Sequence, residues 1–196
     1  MHMQYFGDSY DIVKQSLIRW LGPFGDWSVH PMLTESATAE QIRAFERFLG
    51  ARMICDEVLT TNTDRESYLL CASRCEHLFL DPDIGFKLSD EHLRAPREKY
   101  LFAHEFVRLS EDRPNALTLV FDQSLPRGKE RLSMKHKVQE LHAAGVHSFA
   151  YMSHACFILG GRDEALVRRS FTKLVAESRL PKSRFLTAWA TSESDF

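Results

Sequence analysis

Short apolar runs and longer stretches of helical periodicity alternate along this chain, and few architectures accommodate that pattern. The run His77-Leu78-Phe79-Leu80 is the clearest case: Asp81-Pro82-Asp83 cuts it off at once, as a buried parallel strand ends. Trp27 to His30, Arg52 to Cys55, Ala116 to Phe121, Val146 to Met152 and Cys156 to Leu159 read as further strands. Helices are expected from Ser9 to Leu21 behind an Asp8 cap, from Thr38 or Ala39 to Leu49, and from Asp64 to Arg74. Three more are expected at Arg97 to Ser110, Arg127 to Ala144 and Arg162 to Ser178. A helix between successive strands makes a crossover, and crossovers make a mostly parallel sheet covered on both faces. The expected fold is therefore α/β, a three-layer Rossmann-like sandwich, with an antiparallel edge made by the strand-turn-strand around Ser153-His154.

With 196 residues, 44% of them hydrophobic and 27% charged, the chain fits one globular domain spanning 1–196, with 191–196 a loose tail. A formal charge of −2, from 25 basic and 27 acidic side chains, supplies no global field to hold a polyanion. Nucleic acid or a nucleotide would have to meet a local patch, for which Arg127, Lys129, Arg131, Lys135 and Lys137 are the candidates. No apolar run approaches the roughly 20 residues that span a bilayer, and the N-terminus has no signal-peptide core. The expected location is the cytoplasm, without a membrane partner. Four cysteines, irregularly spaced, do not suit a disulfide framework in a domain of this size.

Ligands of open parallel sheets bind beyond the carboxyl ends of the strands. Strand ends in this chain carry His30-Pro31, Asp81-Pro82-Asp83-Ile84-Gly85, Asp122-Gln123-Ser124 and Ser153-His154. If these share one rim, Asp81, Asp83 and Asp122 offer hard oxygen ligands for Mg²⁺ or Mn²⁺. A metal there suits phosphoryl transfer, as in a nuclease or nucleotide phosphohydrolase. His30, Asp83 or His154 would move protons, and Lys14, Gln123 and Arg127 would steady the phosphate. Turn-forming residues at strand ends explain the same letters without any site. Asp8, Asp11 and Lys14 likewise read either as one functional helix face or as an N-cap with a surface ion pair. Cys71, Cys75 and His77, with Cys55, raise zinc, although Cys-x3-Cys followed by His is not a common zinc spacing.

Two segments carry a resemblance. Asp11-Ile12-Val13-Lys14 in the first helix and Asp81-Pro82-Asp83-Ile84 after the third strand run resemble motifs of class I methyltransferases that modify adenine in ribosomal RNA. The resemblance implies a Rossmann-like fold, an S-adenosylmethionine cofactor, a nucleic-acid partner and a loop at Asp81 that holds the target amine. Val29 to Glu35, where the family's glycine-bearing cofactor loop would fall, contains no glycine, and Asp83-Ile84 stands where the family has proline and an aromatic. A non-catalytic binding module is the third expectation, since no complete catalytic signature is present.

Overall fold

A computed structural model describes residues 6–91, 93 and 95–189; the tail expected at 191–196 lies outside the described residues. The chain forms a three-layer α/β sandwich around a seven-stranded sheet. In chain order the elements are α1 (Ser9–Leu21), β1 (Trp27–His30), α2 (Ala39–Leu49), β2 (Arg52–Met53), α3 (Arg65–Leu69), β3 (His77–Leu80), β4 (Gly85–Lys87), β5 (Tyr100–Phe102) and α4 (Ala103–Asp112). They continue with β6 (Thr118–Asp122), α5 (Glu130–Ala143), β7 (His147–Met152), β8 (Cys156–Gly161), α6 (Glu164–Ser178) and β9 (Phe185–Thr187).

The main sheet runs β2-β1-β3-β6-β8-β7-β9. β2, β1, β3 and β6 are mutually parallel, whereas β8 pairs antiparallel with both β6 and β7, and β9 antiparallel with β7. The expected antiparallel element thus sits inside one half of the sheet, with β8 reversed between two strands of common direction. A separate parallel pair, β4 with β5, lies beside it.

Alternation along each strand sorts the apolar side chains into two cores. Phe79, Leu119, Phe121, Phe149, Phe157 and Leu159 face α1, α2 and α6. Leu78, Leu80, Val120, Ala150 and Ile158 face α4, α5 and the β4–β5 pair. This parity decides where each strand-end side chain points, and so which residues can meet.

Several helix ends follow directly from local chemistry. Asp8 caps α1 by accepting from the Tyr10 and Asp11 amides, and Thr38 and Gln41 form a reciprocal capping box at α2. Gly50 closes α2 in the left-handed region. Thr38→Ala is expected to lower stability by about 1 kcal/mol, measured as a shift in the denaturation midpoint.

Two expected elements are corrected. Helix at Arg97 does not begin there: Arg97–Lys99 is a 3₁₀ turn and Tyr100–Phe102 is a strand, so α4 starts only at Ala103. The cause is the buried run Tyr100-Leu101-Phe102, which pairs with Gly85–Lys87 in what reads from sequence as plain loop. The helix expected at 64–74 is α3 followed by a 3₁₀ segment, Leu70–Arg74. Among the described residues no helix is long and apolar enough to cross a membrane.

Candidate functional site

The polar strand ends lie along one edge of the sheet, but on two sides of it. Leu80 pairs with Val120, so Asp81 and Asp122 arrive close in register at the ends of neighbouring strands. Asp81 follows Leu80 and points with the Phe79 and Phe121 set toward α1. Asp122 follows Phe121 and points with Val120 toward α5. Each carboxylate then meets a lysine of its own helix layer.

Lys14 of α1 is buried and donates to Asp81 Oδ2 at 2.8 Å and Asp11 Oδ1 at 2.9 Å, its ammonium 4.6 Å from the centre of the Phe121 ring. Burial opposes the lysine charge, yet Asp81 and Asp11 outweigh it and raise the Lys14 pKa above the ordinary value. Burial pushes the Asp81 carboxyl upward, with Lys14 acting against the rise. The sequence expectation of a surface Asp11–Lys14 pair is corrected: the pair exists, but it is buried and shared with Asp81.

Lys137 of α5 is the second anchor. Its ammonium donates to Asp122 Oδ2 at 2.6 Å, the Phe86 carbonyl at 2.7 Å and Ser124 Oγ at 3.1 Å. Asp122 Oδ1 accepts from the Phe86 amide and from the amide and hydroxyl of Ser124. Gly85, at φ +144, lets its backbone pass against Asp122; a Cβ there would collide with the carboxylate and with the Gln123 amide. Lys137 therefore does not belong to a surface basic patch; Arg127, Lys129, Arg131 and Lys135 remain exposed.

Asp83 pairs with Lys99 at 3.0 Å. Asp81, Asp83 and Asp122 thus end on three different lysines and do not converge as one ligand set. Gln123 and Arg127 are exposed, and His154 is exposed with its ring 5.0 Å from that of Tyr10.

One group of three His, Cys, Asp or Glu side chains does converge among the described residues: His30, Cys55 and Cys71, whose ligand atoms all lie within 4.8 Å of one another. The sheet brings the first two together. β1 and β2 pair in parallel with Val29 opposite Met53, and the Ile54 amide continues the ladder to the Val29 carbonyl at 3.0 Å. His30 and Cys55 then leave the paired strands side by side, and the 3₁₀ segment 70–74 lays Cys71 over them. His30 is fully buried. Its Nε2 lies 3.3 Å from the Tyr68 carbonyl and its Nδ1 accepts from the Met32 amide at 3.3 Å. Both contacts are long, so the ring is oriented by main chain without being strongly committed to either.

The two thiols are shifted in opposite directions. A hydrogen bond with Cys71, followed by one with His30, brings the Cys55 thiol down to about 4, against the effect of burial. Cys71 moves the opposite way, raised first by the same hydrogen bond and then by burial. Cys55 is thus the thiol drawn toward ionisation, while Cys71 Sγ donates to the Tyr68 carbonyl at 3.6 Å. Cys156 provides a contrast inside the same protein: with no such partner, burial pushes its thiol up to about 11.

The sequence set of Cys71, Cys75 and His77 is corrected in its histidine. His77 turns to the amino ends of the strands, with Nε2 3.0 Å from the Phe24 carbonyl and Nδ1 accepting from the Leu117 amide at 3.0 Å. His30, taken from sequence as a proton carrier of a carboxylate site, stands with the thiols instead. The missed signal was present: Cys55 closes an expected strand just as His30 does.

Fold and site together define an α/β sandwich with an imidazole–dithiol group at the carboxyl edge of its outermost parallel strands. No protein-family model, curated protein or solved structure matches the chain.

Proposed function

We propose that the protein works through a thiolate-ligated divalent ion, zinc in the first place, held by His30, Cys55 and Cys71. The observation that carries this reading is the convergence of three soft or borderline ligand atoms from three separate elements, within 4.8 Å of one another. Cys55 is already drawn toward the ionised form in which a thiol binds metal. Three protein ligands leave one position of a tetrahedral ion for water or substrate, the pattern of catalytic rather than structural zinc. Bound there, the ion would supply a Lewis acid and an acidified water, the equipment of metal-assisted hydrolysis. His30 would ligate through one ring nitrogen in place of that atom's main-chain contact, and the other nitrogen would keep the ring oriented against the backbone.

Phosphoryl transfer at Asp81, Asp83 and Asp122 has less support, because Mg²⁺ or Mn²⁺ would have to displace a lysine ammonium at each carboxylate. Methyl transfer has less support as well: Met32 and Leu33, at the end of β1 where a cofactor loop would open, are fully buried core residues. A nucleic-acid partner loses the inward-turned Lys137 from its patch.

The test is titration of metal-free protein with Co²⁺ and Zn²⁺. One equivalent should bind, with sulfur-to-cobalt charge-transfer absorption. Outer-shell partners alone are worth about 10- to 100-fold in affinity, so Cys55→Ser or Cys71→Ser should weaken binding by about 100-fold or more. Absence of the absorption would end this reading. Loss of two free thiols on mild oxidation of a protein that binds no metal would favour a dithiol redox pair in its place, a reading that the closeness of the Cys55 and Cys71 sulfurs supports.

A further inference from the structure

A cleft of 330 Å³ opens beside the dithiol, lined by Arg52, Met53, Ile54, Cys71, Arg74 and Cys75. Its walls contain two guanidinium groups and no carboxylate. Arg52 and Arg74 are both exposed, and among the described residues neither takes part in an ion pair. Five other arginines are paired, Arg65 with Glu105, Arg97 with Asp90, Arg108 with Glu66, Arg162 with Glu111 and Arg168 with Glu164, and Arg52 and Arg74 are among those that are not. Arg52 and Arg74 flank a single cleft, and that cleft includes a proposed metal ligand.

We infer that this cleft holds a small oxyanionic substrate, a phosphate or carboxylate compound, against the ion bound by His30, Cys55 and Cys71. The inference rests on the metal reading above and adds the substrate class. Guanidinium groups match oxyanions in geometry and stay charged at every physiological pH. Met53 and Ile54 give the same cleft an apolar wall, which fits an anion carrying a short organic body rather than a polymer. Cys71 stands at the junction, facing Cys55 and His30 on one side and lining the cleft on the other, so an anion seated between Arg52 and Arg74 borders the ion.

The experiment uses the full chain loaded with Co²⁺, titrated separately with inorganic phosphate and with acetate while the visible spectrum is followed. Either anion should change the cobalt bands saturably, and the tighter of the two names the preferred oxyanion. Arg52→Ala/Arg74→Ala should bind Co²⁺ with unchanged bands, both residues being exposed, and should need about 10- to 100-fold more anion for the same change, the range for lost charge-assisted hydrogen bonds. Cobalt bands that form normally but respond to neither anion would overturn this inference and leave the metal reading standing. A response identical in the double variant would also overturn it. Failure to bind Co²⁺ at all would overturn both.

Discussion

Lys14→Ala is expected to destabilise the fold by about 3 to 5 kcal/mol near neutral pH, because it leaves two buried carboxylates facing each other without a cation. In a chain of this length that corresponds to a fall in melting temperature of about 10 °C. The loss should depend on pH. Asp81 already has a raised pKa through burial, and a carboxyl raised in the fold favours the fold only while protonated. That contribution is full below the ordinary carboxylate range and is lost as pH rises through the raised value. Alanine at position 14 removes the lysine that opposes the rise, so the gap between wild type and variant should widen from pH 5 to pH 8 in denaturant titrations. In the wild type, Lys14 itself is raised, so its contribution persists up to the ordinary lysine range and is lost only as pH climbs through the still higher folded value. A gap that narrows with rising pH would contradict this account. The double replacement Lys14→Met/Asp81→Asn should recover a large part of the stability, since a neutral pair strands no ion.

Lys137→Ala is the second large effect, also about 3 to 5 kcal/mol, for a related reason with a different local result. Asp122 is wholly buried, and Lys137 is the ammonium that balances it. The same ammonium holds the Phe86 carbonyl, which belongs to β4. The variant should therefore loosen the β4–β5 pair as well as lower global stability. Limited proteolysis should cut between 83 and 99 in the variant under conditions that leave the wild type intact. Asp122→Ala should cost less than Lys137→Ala, because a lysine left alone can extend its stem toward water and an aspartate cannot. Equal resistance of both proteins to cleavage would show that the small sheet is held by its apolar contacts instead.

Sequence carries the fold well where a segment is long and periodic, or ends on a strong breaker. α1, α2, β1 and β3 fall where Asp8, Gly50, Pro31 and the Asp81-Pro82 break predict them. It carries less where three-residue strands depend on a partner. Gly85–Lys87 and Phe185–Thr187 have too few residues for alternation to register, and Tyr100–Phe102 merges with the helix that follows it.

The site was legible in its ingredients and not in its assembly. His30 at the end of β1 was visible, but grouping it with Cys55 requires knowing that β2 lies beside β1. Grouping both with Cys71 requires the path of a 3₁₀ segment. Proximity in sequence favoured His77, which the start of β3 directs to the other end of the sheet. The carboxylates illustrate a subtler limit. Asp81 and Asp122 do share a rim, yet strand parity sends them to opposite faces, and a one-residue difference in where a strand ends is enough to decide that.

β2 contributes two residues to one margin of the main sheet and β9 three to the other. Among the described residues, borders this brief offer a neighbouring molecule little backbone to dock on, which weakens them as templates for strand-by-strand addition. Brief outermost members are one means by which a sheet of apolar strands, here rich in phenylalanine and leucine, is shielded from joining its neighbours edge to edge.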